Sequence, residues 1–131
     1  MDEKKLLKYA VDYLSKYDSS KVNLVNVLKR KILRLKTTNY EKGKLINIIE
    51  SIIIKLEKNK FIDDNRYSST KILSLSNSGK SKNFIFNYLI KKGVNKTQIQ
   101  NNLNLMQQDN DNWELNSAKI FAKKKKLLEK D

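Results

Sequence analysis

The residues best suited to chemistry in this chain are its cations. Arg30 and Arg34 stand four positions apart in a segment with helical spacing, opposite its apolar residues. A guanidinium donates paired hydrogen bonds to a phosphate or carboxylate, which an ammonium does not. With only three arginines among 28 basic residues, this placement indicates contact with an anion. An ordinary solvated helix face explains the same pattern, and both interpretations stay open.

Lysines mark further candidate positions along the chain. They are Lys29, Lys31, Lys80, Lys82, Lys91 and Lys92, together with the run Lys123, Lys124, Lys125 and Lys126. A shared basic ridge made from the first six and the two arginines would suit the repeating phosphates of a polyanion, although solubility alone also explains such charges. The four consecutive lysines wrap a whole helical turn, so either a DNA backbone contact or a solvated, frayed terminus accounts for them.

Other chemical patterns have simpler explanations. Asp63 and Asp64 resemble an acid-base or metal pair, but capping the amides of the helix that follows explains both carboxylates. Gly79, Lys80 and Ser81 match the end of a P-loop, but the first glycine and the preceding strand of that motif are missing. The acidic link at 109–112 lacks the glycine and glutamate of a calcium loop. Neither Cys nor His is present. Thiolate nucleophiles, imidazole bases and the usual zinc ligand sets are therefore excluded, and we predict no metal and no cofactor.

The net charge points to a polyanionic partner. Twenty-eight basic residues against 14 acidic ones give a formal charge of +14. Lys, Asn and Ile are abundant together, as expected of a genome rich in A and T, but such a bias also supplies acidic residues and does not explain the two-to-one excess. The expected partner is a polyanion or a protein bound to one, with a merely solvated basic surface as the alternative.

An internal sequence repeat predicts the fold on which these charges are placed. The segments LSKYDSSKVNLVNVLKRK, from Leu14, and LSNSGKSKNFIFNYLIKK, from Leu75, lie 61 positions apart and share Leu-Ser, Ser-Lys, Asn, Leu and a terminal basic pair. A short helical unit cannot bury its apolar face alone and must stack on another. No Pro, three Gly and apolar spacings of three and four residues indicate an all-α protein of tandem three-helix repeats.

The apolar spacing also predicts individual helices. In the first half of the chain, helices are predicted over residues 3–17, with Leu7, Ala10, Leu14 and Tyr17 on the core face, over 20–36, with Val22, Val25, Leu28, Ile32 and Leu35, and over 44–59. A fourth helix runs through Tyr67, Ile72 and Leu75, and a fifth covers 80–92, with Phe84, Ile85, Tyr88 and Leu89 on its core face. A sixth runs through Ile99, Leu103 and Met106, and the last covers 113–130. Residues 37–43 are a predicted loop. The predicted division is a first repeat at 1–60, a second at 61–108 and an incomplete third at 109–131.

The order of these pieces resembles the RecX family, bacterial regulators of the recombinase RecA. The resemblance is carried by FIDDNRY and GKSKNFIFNYLIKKGV in the centre, by YLSKYDSSKVNLVNVLKRKI before them and by ELNSAKIFAKKKKL after them. No single motif is strong, but their order and spacing together are fairly specific. The resemblance implies tandem three-helix repeats in an elongated, curved molecule.

The resemblance also implies a function in DNA repair, recombination and the SOS response. RecX proteins bind the RecA filament on DNA and inhibit its ATPase, strand-exchange and co-protease activities without doing chemistry themselves. RecX proteins usually complete three repeats, whereas here the third shows only its first helix. If the missing part normally grips the filament, the affinity or the mode of inhibition differs.

Two other classes of function compete with this one. An autonomous helical module that contacts the DNA phosphate backbone is the main alternative, because the pattern is dominated by Lys rather than by side chains suited to base edges. A binder of acidic lipid is weaker, because the charge is distributed along the chain. No apolar run reaches the ~18 residues of a membrane span. Met1 is followed by DEKK rather than a signal peptide, so the cytoplasm is the expected location. A monomer is the default expectation for the oligomeric state.

Overall fold

A computed structural model describes residues 1–109 and contains six α-helices and no strand within them. The helices are α1 (Glu3–Lys16), α2 (Lys21–Leu33), α3 (Asn39–Lys58), α4 (Asp64–Asn77), α5 (Lys82–Lys91) and α6 (Lys96–Asp109). The prediction of an all-α protein is confirmed. The predicted third repeat, with its helix at 113–130, lies outside the described residues.

The chain divides into two compact units, one spanning Met1–Asp64 and a second that begins at Asn65. The positions of their helices correspond to the internal repeat of the sequence. α1 and α4 each contain 14 residues and begin 61 positions apart, as do the first residues of α2 and α5. The hydroxyls of Ser20 and Ser81 cap those two helices, each accepting from the backbone N–H three residues later at 3.2 Å. The helix order is thus compatible with a helical repeat.

The core of the first unit joins α1, α2 and α3. Its buried side chains are Leu6, Ala10, Leu24, Leu28, Ile32, Leu45, Ile49, Ile52, Ile53, Leu56 and Ile62. Ile62, which the sequence analysis puts at the start of the second repeat, packs in this core. The third helix contributes five of these residues, in line with its nearly continuous apolar sequence.

The predicted core faces of the first two helices were partly wrong. Val22 and Tyr17 are exposed, at 45% and 57% of their surface, whereas Leu6, Leu24 and Val27 are buried. Leu24 and Leu28 form an i, i+4 pair that packs on α3, and this pair, rather than Val22, sets the rotation of α2. The same helix ends at Leu33 instead of continuing to residue 36.

The third helix begins five residues earlier than predicted. Thr38 is its N-cap, with a hydroxyl that accepts from the Glu41 N–H at 3.2 Å, and Glu41 supplies a carboxylate in the first turn. Residues 39–43 of the expected loop are therefore helical. Gly43 favoured a loop in the sequence prediction because glycine is a poor helix former. In the structure it lies inside a helix, and a Cβ added to it would have no neighbour within 4 Å.

The core of the second unit joins α4, α5 and α6. Its buried side chains are Tyr67, Ile72, Ile85, Leu89, Val94, Ile99 and Leu103. Tyr67, on the helix predicted to run through Ile72 and Leu75, is a core residue. Phe84, expected to be in the core, is 45% exposed. Phe86 packs against the core in its place, because the α5 pair that points inward is Ile85 and Leu89.

The two glycines of the second unit end helices. Gly79 and Gly93 have φ angles of 91° and 80°, in the left-handed region that favours glycine. After Gly93, the Val94 N–H donates to the Leu89 carbonyl at 3.1 Å, which closes α5 in the manner of a Schellman motif. The helix predicted over residues 80–92 ends at Lys91, and Lys92 is its C-cap.

Two glycine substitutions should change stability in opposite directions. Gly43→Ala should raise the free energy of unfolding by about 1 kcal/mol, because alanine is the better helix former and its methyl group meets no neighbour. Gly93→Ala should lower it by about 1–2 kcal/mol, because φ is positive there. Urea unfolding followed by circular dichroism measures both. A destabilised Gly43→Ala variant would contradict the helical assignment of residues 39–43.

Candidate functional site

The first group of candidate residues lies on the last turns of α2. Leu28 and Ile32 are fully buried, so Lys29 and Arg30, one and two residues after Leu28, point away from the core. Lys29, Arg30 and Arg34 are exposed. Lys31 is half-buried, with its Nζ 5.0 Å from the centre of the Tyr9 ring, a distance at which a cation is attracted to an aromatic face.

Part of this charge has a structural use. Arg30 and Lys31 stand in the last turn of α2, where a positive charge complements the partial negative charge of the helix C-terminus. Arg34 is the C-cap residue, and its backbone N–H donates to the Arg30 carbonyl at 3.2 Å. This bond keeps the backbones of the two arginines in register although the helix ends between them. Both guanidinium groups are on exposed residues and remain accessible to an anion.

The candidate lysines of the second unit occupy both ends of α5. At its start, the Lys80 Nζ lies 4.7 Å from the centre of the Phe84 ring, and the Lys82 Nζ donates to the amide oxygen of Gln107. At its end, Lys91 is exposed and the Lys92 Nζ lies 5.6 Å from the Tyr88 ring. A rise of 1.5 Å per residue separates Lys82 from Lys91 by roughly 14 Å along the helix axis.

The structure therefore brings the described candidates together in three local groups. One is on α2, and the others are at the two ends of α5. The run Lys123, Lys124, Lys125 and Lys126 lies outside the described residues. Whether the groups act as one ridge stays a prediction.

The paired carboxylates at 63 and 64 were expected to cap the helix that follows them. The structure gives Asp64 a different contact. α4 begins at Asp64, and the carboxylate oxygen of this residue accepts from the backbone N–H of Lys21, the first residue of α2, at 2.8 Å. Asp64 thus satisfies a helix N-terminus 43 residues away in sequence, which supports a structural role rather than acid-base chemistry.

Charged side chains near Lys21 add to this contact between the start of α2 and Asp64, which lies within the first unit. The Lys21 ammonium and the Glu57 carboxylate lie 2.8 Å apart, and this hydrogen bond raises the pKa of Lys21. Burial raises the pKa of Asp64 above its usual 3.8, and the bond from the Lys21 N–H opposes that effect only in part. Lys21 is the counterpart of Lys82, 61 positions earlier, and its charge is engaged by an acid.

Motifs that suggest other chemistry find ordinary explanations where the structure describes them. Ser81, in the sequence that resembles a P-loop, is the N-cap of α5. Among residues 1–109, no group of three or more acidic side chains is placed to hold a metal ion. In the same part of the chain, no helix is long and apolar enough to cross a membrane. Residues 110–112 of the acidic link are not among those described.

A cleft between α5 and α6 has no counterpart among the candidate sites predicted from the sequence. Asparagine and glutamine side chains line much of it, among them Asn83, Gln100 and Asn104. The available signal was the composition of α6, in which seven of 14 residues carry amides and only the first and last are charged. Such a helix is polar without being basic, unlike most of the surface of this chain.

Fold and site together define a class: a strongly basic, all-helical protein of three-helix units whose candidate residues suit binding. The regulatory protein RecX of Myxococcus xanthus (strain DK1622) is 31% identical over 119 residues, which cover 90% of this chain. This similarity supports the resemblance to the RecX family that the sequence motifs indicated. It spans 63% of the length of the Myxococcus relative. No family model matches the chain, and no solved structure matches it with significance.

The raised pKa of Asp64 predicts a pH-dependent effect of Asp64→Asn. The native state holds this proton more tightly than the unfolded state, so wild-type stability falls as pH rises from below 3.8 through the raised pKa. Asparagine keeps an oxygen for the Lys21 N–H and does not ionise. The variant should therefore gain stability relative to wild type as pH rises from about 3 to 7.

Urea unfolding at a series of pH values measures this difference. Asp12→Asn, at an exposed residue of α1, is the matched control and should show a much weaker trend. A variant that loses stability relative to wild type as pH rises would mean that the ionised carboxylate stabilises the junction, contrary to the expected sign.

Proposed function

We propose that this protein is a non-enzymatic regulator that binds the RecA nucleoprotein filament and inhibits its ATPase, strand-exchange and co-protease activities. The observation that carries the proposal is the similarity to a regulatory protein RecX over 90% of this chain. The proposed partners are RecA itself and single- or double-stranded DNA contacted through its backbone. The proposed acting form is a cytoplasmic monomer.

The electrostatics of the chain support such a partner. A filament of protein on DNA presents phosphates at regular intervals together with acidic side chains, and a chain of charge +14 is attracted to both. Arg30 and Arg34 are exposed, and their guanidinium groups can make paired hydrogen bonds with either kind of anion. Lys29, Lys80, Lys82, Lys91 and Lys92 would add point charges, and the lysines at 123–126 are proposed to do the same.

Inhibition by binding alone requires no catalytic group in the regulator. A protein that occupies positions along the filament can impede its growth or turnover by the free energy of binding to one state of the filament over another. The candidate groups lie on exposed faces of helices anchored by Leu28 and Leu89 in the two cores. Rigid placement of this kind limits the entropy lost on binding, which favours affinity.

An autonomous DNA-binding module remains the alternative, and one comparison separates the two. The proposed regulator should lower the rate of ATP hydrolysis by RecA on single-stranded DNA in a dose-dependent way. Unchanged hydrolysis accompanied by tight binding to naked duplex would favour the autonomous module instead. Binding to duplex that weakens steeply with added salt would assign that affinity to phosphate contacts.

Charge reversal on α2 tests the proposed contacts. Arg30→Glu combined with Arg34→Glu should raise the concentration needed for half-maximal inhibition of the RecA ATPase by about tenfold, as expected for the loss of two exposed ion pairs. Neither side chain packs in the core, so the helical content should stay close to wild type. Reversing the charge at the C-terminus of α2 should lower the free energy of unfolding by only about 1–2 kcal/mol.

The matched control is Lys4→Glu combined with Lys8→Glu. These lysines are also exposed and four residues apart, on α1, so the control changes the net charge by the same amount. It should leave most of the inhibition intact. Equal losses in both double variants would mean that only net charge matters, and an unaffected arginine variant would remove α2 from the interface.

A further inference from the structure

The cleft between α5 and α6 is built from two continuous helix faces of the second unit. Gln100, Leu103, Asn104 and Gln107 follow one another at intervals of three, one and three residues, which places them on one face of α6. From α5, Lys82, Asn83 and Phe86 line the opposite wall. Leu103 is buried in the core, so the face is anchored from beneath while its amides border the opening.

The size of the cleft suits a small planar group. Its volume is about 320 Å³, near the lower end of the roughly 300–1,000 Å³ found for small-molecule sites. That is enough for one heterocyclic ring but not for a chain of several residues. The half-buried Phe86 contributes an aromatic wall, and aromatic walls are the usual stacking surfaces for single-stranded nucleic acids.

The chemistry of the lining suits a group that is neutral and both donates and accepts hydrogen bonds. Amide side chains offer two N–H donors and a carbonyl acceptor, and they pair with the edges of bases in protein–nucleic acid complexes. Lys82, at the first position of α5, donates to the neutral amide of Gln107 at the same cleft. A neutral planar site beside an ammonium matches a base joined to its phosphate.

Comparison of the two units indicates that the amide and aromatic lining of this cleft is specific to the second unit. The residues 61 positions before Asn83 and Phe86 are Val22 and Val25, which offer neither an amide nor a ring. Lys21, the counterpart of Lys82, pairs with the Glu57 carboxylate rather than with an amide. The repeat therefore keeps the buried pair of its second helix in both units, Leu24 and Leu28 in the first and Ile85 and Leu89 in the second. The α5 wall of the cleft, in contrast, has an amide and an aromatic ring where the first unit has two valines.

We propose that the α5–α6 cleft of the second unit binds a single unpaired nucleobase of single-stranded nucleic acid, with Gln100 and Asn104 contacting the base edge and Phe86 its face. A paired base presents its Watson–Crick edge to the opposite strand, so the cleft selects single strands over duplex. The inference rests on the proposed contact with DNA and adds base contacts to the backbone contacts assigned to the cationic groups.

The test compares oligonucleotides that carry equal charge. Fluorescence anisotropy of the full chain with a labelled thymine 20-mer should give tighter binding than with a 20-mer of the same phosphates whose bases are absent. Gln100→Ala combined with Asn104→Ala should weaken binding to the thymine strand by about tenfold, as two neutral hydrogen bonds predict, and leave binding to the abasic strand unchanged. Both substitutions favour helix, so folding is not at risk.

The matched control is Gln98→Ala combined with Asn101→Ala. It removes one glutamine and one asparagine from the same helix, at positions that line a different surface, with Asn65, Asn95 and Thr97. This control should bind both strands as wild type does. Phe86→Leu, which keeps an apolar side chain against the core, should weaken binding to the thymine strand alone by about 5- to 100-fold.

Several results would overturn the proposal. Equal affinity for thymine and abasic strands would leave only phosphate contacts, and equal losses on both strands in the cleft variant would assign the amides to the backbone. Displacement of the strand by micromolar thymidine monophosphate would identify a free nucleotide as the ligand. Saturable binding of a neutral unstructured peptide, without binding of the thymine strand, would assign the cleft to a protein segment. Inhibition of the RecA ATPase, measured separately, reports on the regulatory proposal whichever of these occurs.

Discussion

The burial of one aliphatic pair on the second helix of each unit decides where the charges of this protein lie. Leu24 and Leu28 in the first unit, and Ile85 and Leu89 in the second, are fully buried, and each side chain contributes about 1.5–3 kcal/mol by leaving water. Two residues beyond each pair, an α-helix has turned by about 200°. Arg30 and Lys91 occupy those positions and must face away from the core.

The ends of the second helices show how one repeated sequence serves two purposes. A serine caps each helix in the same way, but the lysine that follows has different surroundings in the two units. Lys21 bonds to Glu57, and its backbone N–H bonds to Asp64, so that position joins the start of α2 to the end of α3 and to the last residue of the first unit. Lys82 bonds to the neutral amide of Gln107 beside the α5–α6 cleft. The lysine at this position thus stabilises the fold in the first unit and stands at a candidate binding position in the second.

The dispersion of the cationic groups limits the kind of partner they suit. Each exposed ion pair contributes about 1 kcal/mol or less, so a single group on α2 or α5 gives little affinity by itself. A partner that repeats its anions along its length allows several weak contacts to add together and to release counterions. The proposed nucleoprotein filament has this property, because its phosphates repeat along its length. Base contacts in the cleft would supply a preference for single strands that charge alone does not provide.

Apolar spacing and the internal repeat were sufficient to predict an all-α protein, the order of its helices and the end of α5 to within a residue, because these depend on local preferences and on a period of 3.6 residues. The motif order was also enough to indicate the RecX family. Local patterns did not place Val22 or Phe84 correctly, since valine and phenylalanine are apolar on either face and only packing against α3 or α6 selects which face is buried. Nor did they show that Asp64 caps α2, or that the amides of α6 border a cleft with Phe86. Those contacts join residues far apart in sequence, so their geometry exists only once the helices have packed.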